Sequence, residues 1–289
     1  MRRLLAAERV RFGRRRDLWI LVLLVPVIMG VLFVMEFNAL TTPPVADFVM
    51  DPPDPVLEAE YEAQALAEWR QGLATQLPAF AFPASLLKVA GNVVPPLLLA
   101  IYISVALAAG EFEWGTVRTL HLTSRRGRTF AVRLLVIVGL VGLAMLLALV
   151  LGAILPFLMR FEGAPLQDFA TDTPDLLTGI LLRLAAVLPY AAIPALLSVL
   201  TRSISLAFLL SLLFIALDLA IVAMPFWPTS PAPWLPVLTP SGSIIRLLGS
   251  PEASIASAPA ALAVMALFAW GVLPLLAAVV RFRRIDLNE

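Results

Sequence analysis

Residues 111–128 read EFEWGTVRTLHLTSRRGR, a charged island between two long apolar segments of this chain. The apolar segments run from Val89 to Ala109 before the island and from Phe130 to Leu158 after it. Each is long enough to cross a bilayer, which takes roughly 20 helical residues. The sequence therefore predicts that the charged island lies at one face of a membrane, and that any partner of the island acts from that face.

The composition favours a membrane protein over a soluble one. Hydrophobic residues make up 61% of the chain and charged residues 14%, against about 45–50% and about 25% in soluble domains. The formal net charge is only +1, from 21 basic and 20 acidic residues, so no bulk field favours nucleic acid. The chain has no Cys and one His, which excludes thiolate metal sites and His clusters, and we expect no metal site.

We predict an all-α membrane protein with six transmembrane helices in one domain, residues 1–289. The segments are Leu18 to Met35, Leu86 to Ala109, Phe130 to Leu158, Leu176 to Leu200, Ser203 to Met224 and Ala260 to Val280. Around them we expect a cytoplasmic amphipathic helix (1–17), an outer loop (37–85), a cytoplasmic loop (110–129) that carries the charged island, and an outer re-entrant loop (225–259).

Arginines mark one side of this arrangement, and lysine and arginine are typical of cytoplasmic flanks. They fall in the N-terminal segment, the charged island, the short turn after the fourth span and the C-terminal segment: Arg2, Arg3, Arg9, Arg11, Arg14, Arg15, Arg16, Arg118, Arg125, Arg126, Arg128, Arg202, Arg281, Arg283 and Arg284. The loops on the other side are acidic. Both termini are therefore predicted to be cytoplasmic.

The two longer outer loops carry predictions of their own. Val56 to Gln76 repeats apolar residues at roughly helical spacing, which predicts a short amphipathic helix near the outer surface. Ser241 to Leu248, in the proline-rich loop after the fifth span, is expected to form one or two helical turns that dip back toward the bilayer.

The charged island resembles the signature loop of ABC-2 type transporter permeases. The residues that carry the resemblance are an acidic start, a Gly-Thr pair, a leucine-containing turn and a Ser-Arg pair before a basic entry into the next span: Glu111, Glu113, Gly115, Thr116, Arg118, Leu120, Leu122, Ser124, Arg125, Arg126 and Arg133. The layout of a basic N-terminal helix, six spans, a long first outer loop and a re-entrant segment is similar too. Family members often have proline before the Ser-Arg pair, where this chain has Leu122-Thr123.

The resemblance implies a type V exporter-like permease fold in the bacterial cytoplasmic membrane. It implies that residues 110–129 form a coupling loop in which Glu111, Glu113, Gly115, Thr116, Arg118, Ser124, Arg125 and Arg126 dock on an ATPase. The chain has no Gly-x-x-x-x-Gly-Lys-Ser/Thr pattern, so we expect that it does not hydrolyse ATP by the usual phosphate-binding loop. The resemblance therefore implies a non-catalytic subunit with no cofactor of its own. Two separate ABC ATPase subunits would bind ATP and Mg, and a second permease copy or a related permease and membrane lipids would complete the assembly.

Two further sets of residues are candidates within the spans. Arg183 and Asp218 are the deepest charges, and a hairpin of the fourth and fifth spans places them at similar depth, which predicts an ion pair since intramembrane charges usually find partners. A substrate-pathway role for these charges stays open. Asn92, Pro95, Pro96 and Tyr102 indicate a bend that lines a possible substrate path.

The leading hypothesis is an export permease for an amphiphilic or hydrophobic substrate such as a drug, antibiotic, peptide or lipid. The alternative is a secondary transporter driven by an ion gradient, although the spans hold few acidic residues and no matching broken helices in two halves. A membrane enzyme is disfavoured because His121 has no catalytic partners within the spans.

Overall fold

The computed structural model describes residues 15–43, 55–92, 94–113, 126–159, 173–224, 232–248 and 258–284. Helices account for nearly all of these residues, and the described ranges contain no strand. Eleven α-helices follow one another in the described ranges: α1 (Arg16–Thr41), α2 (Pro55–Gln76), α3 (Ala84–Gly91), α4 (Val94–Ala108), α5 (Gly110–Glu113), α6 (Arg126–Leu158), α7 (Thr173–Ala186), α8 (Leu188–Thr201), α9 (Ile204–Ala223), α10 (Pro240–Leu248) and α11 (Ala260–Arg283). Short 3-10 helices, Leu77–Phe80 and Leu235–Leu238, precede α3 and α10.

The prediction of an all-α, multi-pass membrane protein is confirmed at this level. Five helical stretches in the described ranges are long and apolar enough to cross a bilayer: Arg16–Thr41, Phe130–Leu158, Leu176–Thr201, Ile204–Ala223 and Ala260–Arg283. A sixth is counted only if the helices Glu60–Phe80 and Ala84–Gly91, bent by 93°, form one span.

The second predicted span, Leu86 to Ala109, is not one continuous helix. It is divided into α3 and the 15-residue α4, with Asn92 as the residue after α3. Two prolines follow the break, Pro95 and Pro96. They lack an amide hydrogen and disfavour helical backbone in the residue before them, so they oppose a continuous helix across the break, whereas the first turn of a new helix tolerates them.

Helices α4 and α8 form the centre of the bundle. Helix α4 buries eleven of its 15 residues, and α8 contacts α11, α4 and α9. Many of the buried positions of α8 are small, among them Ala191, Ala192 and Ala195, which lets neighbouring helices approach closely. Helix α9 lies at the periphery, since its buried residues are Ala207, Ser211 and Asp218.

The two ends of the bundle are easily told apart. Helices α1 and α6 begin at one end of the bundle, and α4, α8 and α11 finish at the same end. We call it the island end, because the charged island joins α5 to α6 there. The opposite end carries α2 and is called the α2 end. Leu40 at the close of α1 accepts a hydrogen bond from Trp69 Nε1 of α2 at 2.9 Å, which holds α2 against the bundle.

The two stretches predicted to form helices in the longer loops are both helical. Helix α2 covers the predicted stretch, and Leu66, Trp69 and Leu73 are half-buried on one side of it, whereas Leu57 and Tyr61 are exposed. Helix α10 packs against α7, α9 and α11. Its Ser241 contacts Asp218, which precedes the end of α9 at Ala223 by five residues, or about 8 Å of helix. The segment therefore folds back between the spans.

Candidate functional site

An aromatic junction holds the base of the charged island. Phe112 comes just before the island's central part and Phe130 just after it, and both rings contact Phe282 near the end of α11. The Phe130 and Phe282 rings stack with centroids 4.7 Å apart, and the Phe112 ring meets Phe282 edge-on at 6.0 Å. Phe130 and Phe282 are almost fully buried, with 1% and 4% exposure. The two stems of the island are thus joined to the last helix.

Most of the predicted docking residues lie outside the described part of the chain. These are Gly115, Thr116, Arg118, Ser124 and Arg125. Glu111 and Glu113 belong to α5, and Arg126 begins α6, so the backbone places them at the stems of the island. The predicted N-terminal amphipathic helix, residues 1–17, also lies outside the described residues except for its last three.

A buried polar cluster joins α8, α9 and α10 at Tyr190, Asp218 and Ser241. The hydroxyls of Tyr190 and Ser241 each donate to Asp218 Oδ2 at 2.6 Å, and the two hydroxyl oxygens lie 2.7 Å apart. The Ser241 amide donates to both carboxylate oxygens, at 3.3 and 3.2 Å. All three residues are buried, with at most 6% exposure. The side chain of Asp218 on α9 therefore caps the first turn of α10.

The predicted Arg183–Asp218 ion pair is not formed. The hydrogen bonds of Asp218 go to Tyr190 and Ser241, whereas Arg183 Nη1 donates to the carbonyl of Gly179 in its own helix at 3.1 Å. The prediction treated the fourth span as one straight helix, but the structure interrupts it at Val187. Asp218 meets α8 at Tyr190, which is seven residues, about 10 Å of helix, beyond Arg183.

The turn that leads into α10 is closely packed. Thr239 Oγ1 accepts from the Gly242 amide at 3.1 Å and donates to the Pro236 carbonyl at 2.9 Å. A Cβ atom at Gly242 would lie 2.0 Å from the same carbonyl oxygen, so only glycine fits there. Ser243 Oγ adds a bond to the Val237 carbonyl at 2.6 Å. Together these contacts set the position of Ser241 beneath Asp218.

The residues of the predicted substrate path are not brought together at one site. Asn92 lies at the break between α3 and α4, and its Nδ2 is buried with no hydrogen-bond partner. Pro95 and Pro96 open α4, with Pro96 buried. Tyr102 lies further along the helix toward the island end, where its hydroxyl is 3.5 Å from Asp17 Oδ2 of α1. The bend is present, but Tyr102 belongs to the contact between α1 and α4.

Sequence reasoning missed Tyr190, Ser241 and Phe282. Tyr190 had a usable signal, because a tyrosine deep in an apolar span needs a partner for its hydroxyl. Ser241 was predicted to lie in a helix but not beside Asp218. Phe282 was not singled out because it lies among the basic residues at the end of the last span. Within the described ranges, no group of three or more His, Cys, Asp or Glu side chains is arranged to hold a metal ion.

Comparison with protein-family models, with curated proteins and with solved structures finds no match to this chain.

Proposed function

We propose that this chain is the membrane-spanning permease subunit of an ATP-driven ABC transporter that exports an amphiphilic or hydrophobic substrate. Two separate ATPase subunits bind ATP and Mg and dock on the charged island, and a second permease copy or a related permease completes the pathway. Both termini and the island face the cytoplasm of a bacterial cell. The chain itself does not hydrolyse ATP.

The aromatic junction is the observation that carries the proposal furthest. A coupling element must pass a displacement from its partner into the spans. Here the two stems of the island, at Phe112 and Phe130, pack on Phe282 of α11, and α11 packs along α8. A partner that shifts the island therefore displaces α4, α6 and α11 together, which suits a two-state transporter.

The buried cluster supplies a second element of the mechanism. Asp218, Tyr190 and Ser241 join α8 and α9 to the re-entrant α10 at the α2 end. Movement of α11 against α8 at the island end would thus be transmitted along the rigid helices, and through this polar contact, to the α2 end. In the proposed cycle, ATP binding closes the two ATPases and changes the packing of α8 against α11, and hydrolysis restores it.

An ion-gradient carrier is the second candidate, and the buried carboxylate of Asp218 is the feature that favours it. A coupling carboxylate must exchange protons or cations with an aqueous path. The oxygens of Asp218 already accept from Tyr190 and from the hydroxyl and amide of Ser241. This coordination suits a structural carboxylate better than an exchanging one, and we place the carrier second.

Co-purification tests the proposal. The tagged full chain would be expressed with the products of its neighbouring genes and purified in mild detergent, with Glu113→Arg and Arg125→Glu as island variants. Arg283→Glu, an exposed charge on the same side of the bundle, serves as the matched control. We expect an ATPase to co-purify with the wild type and the control, and its association or coupling to be lost in both island variants. A folded chain with no ATP-binding partner would favour the ion-gradient carrier.

A further inference from the structure

Arg183 lies seven residues inside the apolar stretch that begins at Leu176, but its guanidinium reaches back to the level of Gly179, three residues inside that stretch. Its Nη1 donates to the Gly179 carbonyl, one turn toward the start of α7, so the guanidinium extends toward the α2 end, as long basic side chains do in membranes. Its Nε is buried without a hydrogen-bond partner. No carboxylate of the described residues forms an ion pair with it. Within the described part of the chain, the guanidinium therefore has no anionic partner.

Near Arg183 lie a second buried donor and the space left by two glycines. Arg183 Nε lies 4.0 Å from the Cβ position that Gly91 lacks, and the following residue, Asn92, has its own buried and unpartnered Nδ2. A Cβ atom at Gly179 would lie 3.2 Å from Nη1. The two glycines thus leave room for the guanidinium at the end of α3. Buried donors without partners are costly, and an acceptor group bound there would satisfy them.

An apolar groove begins at Leu184, the residue after Arg183, and runs toward the island end. It has a volume of about 180 Å³ and lies between α6 and the α7–α8 break, lined by Leu184, Val187 and Ala191 on one side and Gly142 and Met145 on the other. Its lining is entirely hydrophobic. Leu184 directly follows Arg183. Val187 lies one helical turn from Arg183 toward the island end, on the same face of the helix.

The groove is open to the lipid side of the bundle. Val138 and Leu188, which also line it, are 39% and 37% exposed. A cavity of about 150 Å³ is enough to bind benzene, so this groove has room for a segment of an alkyl chain. The Arg183 guanidinium lies toward the α2 end, and the apolar groove extends from there toward the island end. This arrangement is complementary to a molecule with an anionic head group and a hydrocarbon tail.

We propose that Arg183 and this groove form a binding site for an anionic phospholipid in the leaflet at the α2 end. The phosphate accepts from the Arg183 guanidinium and from Asn92, and the first part of one acyl chain lies in the groove against Gly142 and Val187. A phospholipid is the occupant because it is the amphiphile of this charge that a bilayer presents at this depth. The site does not depend on how transport is powered.

The test is native mass spectrometry of the purified full chain titrated with dioleoyl phosphatidylglycerol and, separately, dioleoyl phosphatidylcholine. We expect the wild type to prefer phosphatidylglycerol, and Arg183→Gln to weaken its binding by about tenfold or more, since bonds to charged groups are strong. Arg281→Gln, an exposed arginine at the other end of the bundle, makes the same charge change and should bind like the wild type. If Arg183→Gln proves unstable, Arg183→Lys keeps the charge but loses Nε and should bind phosphatidylglycerol less tightly than the wild type.

A glycine pair tests the groove separately. Gly142→Leu fills it, whereas Gly139→Leu adds the same side chain on the same helix outside it, and neither glycine has an atom within 4 Å of its Cβ position. We expect Gly142→Leu to weaken phosphatidylglycerol binding and Gly139→Leu to leave it unchanged. Unchanged binding in Arg183→Gln or in Gly142→Leu overturns the proposal. Displacement of the lipid by inorganic phosphate at equal concentration would also overturn it, because the site would then bind a free anion.

Discussion

Removing the Asp218 carboxylate should loosen α10 from the helices that pack against it. Asp218→Ala deprives the Tyr190 and Ser241 hydroxyls of a shared acceptor at 2.6 Å and leaves the Ser241 amide uncapped. The substitution therefore acts on three helices at once, although it changes one side chain of a peripheral helix.

The expected magnitude follows from these three bonds. Hydrogen bonds within membrane proteins average about 0.6 kcal/mol and reach about 1.7 kcal/mol. Three such bonds give a loss of about 2 kcal/mol in the free energy of unfolding for Asp218→Ala. Asp218→Asn retains the shape and one acceptor oxygen and should lose less. Tyr190→Phe removes one bond and should cost about 0.6 kcal/mol.

The assay is reversible unfolding of the purified chain by SDS in dodecylmaltoside micelles, followed by far-ultraviolet circular dichroism. A double-mutant cycle of Tyr190→Phe and Asp218→Ala should yield a coupling energy of about 0.6 kcal/mol or more. Ser211→Ala is the matched control, because Ser211 is buried on the same helix but bonds only the Ala207 carbonyl of that helix, at 2.6 Å. Equal stability of Asp218→Ala and Ser211→Ala, or a coupling of zero, would refute the reasoning.

Three further predictions use the same unfolding assay. Gly242→Ala should cost about 1–3 kcal/mol because its Cβ would meet a backbone carbonyl, whereas Gly139→Ala in open space should be neutral or slightly stabilising; equal effects would contradict this packing. Phe282→Ala should cost about 3 kcal/mol through the lost ring contacts, and Phe282→Leu less than about 1.5 kcal/mol, so an equal loss in both would count against a specific aromatic junction. Lys88→Gln and Glu36→Gln break a half-exposed ion pair and should show a coupling below about 1 kcal/mol that falls further in 1 M salt; a larger, salt-independent coupling would show that the pair is effectively buried.

The sequence predicted the helical spans well because long apolar stretches have one stable form in a membrane. It also located α2 and α10, since helical spacing and proline-bounded turns act over a few residues. The prediction of the second span as one continuous helix was wrong. Pro95 and Pro96 indicated a bend, but whether a proline pair kinks a helix or divides it depends on what packs around the break, which local pattern does not contain.

The buried polar contacts were harder to predict. Arg183 and Asp218 were paired by depth alone, and that estimate failed because the break at Val187 and the return of α10 supplied Asp218 with nearer partners. The contact of Phe282 with Phe112 and Phe130 joins residues far apart in the chain. No short-range signal reports such a contact. The ATPase-docking role of the island and the membrane orientation stay predictions.

The aromatic junction can form only late in the synthesis of the chain. Phe130 and Phe282 are separated by 282 − 130 = 152 residues, and the second ring comes from the last described helix. At about 5–20 residues per second, a ribosome needs about 8–30 s to make that interval. During synthesis the island thus emerges long before its base can be completed. A partner that recognises the finished base would distinguish a fully inserted chain from one still being made.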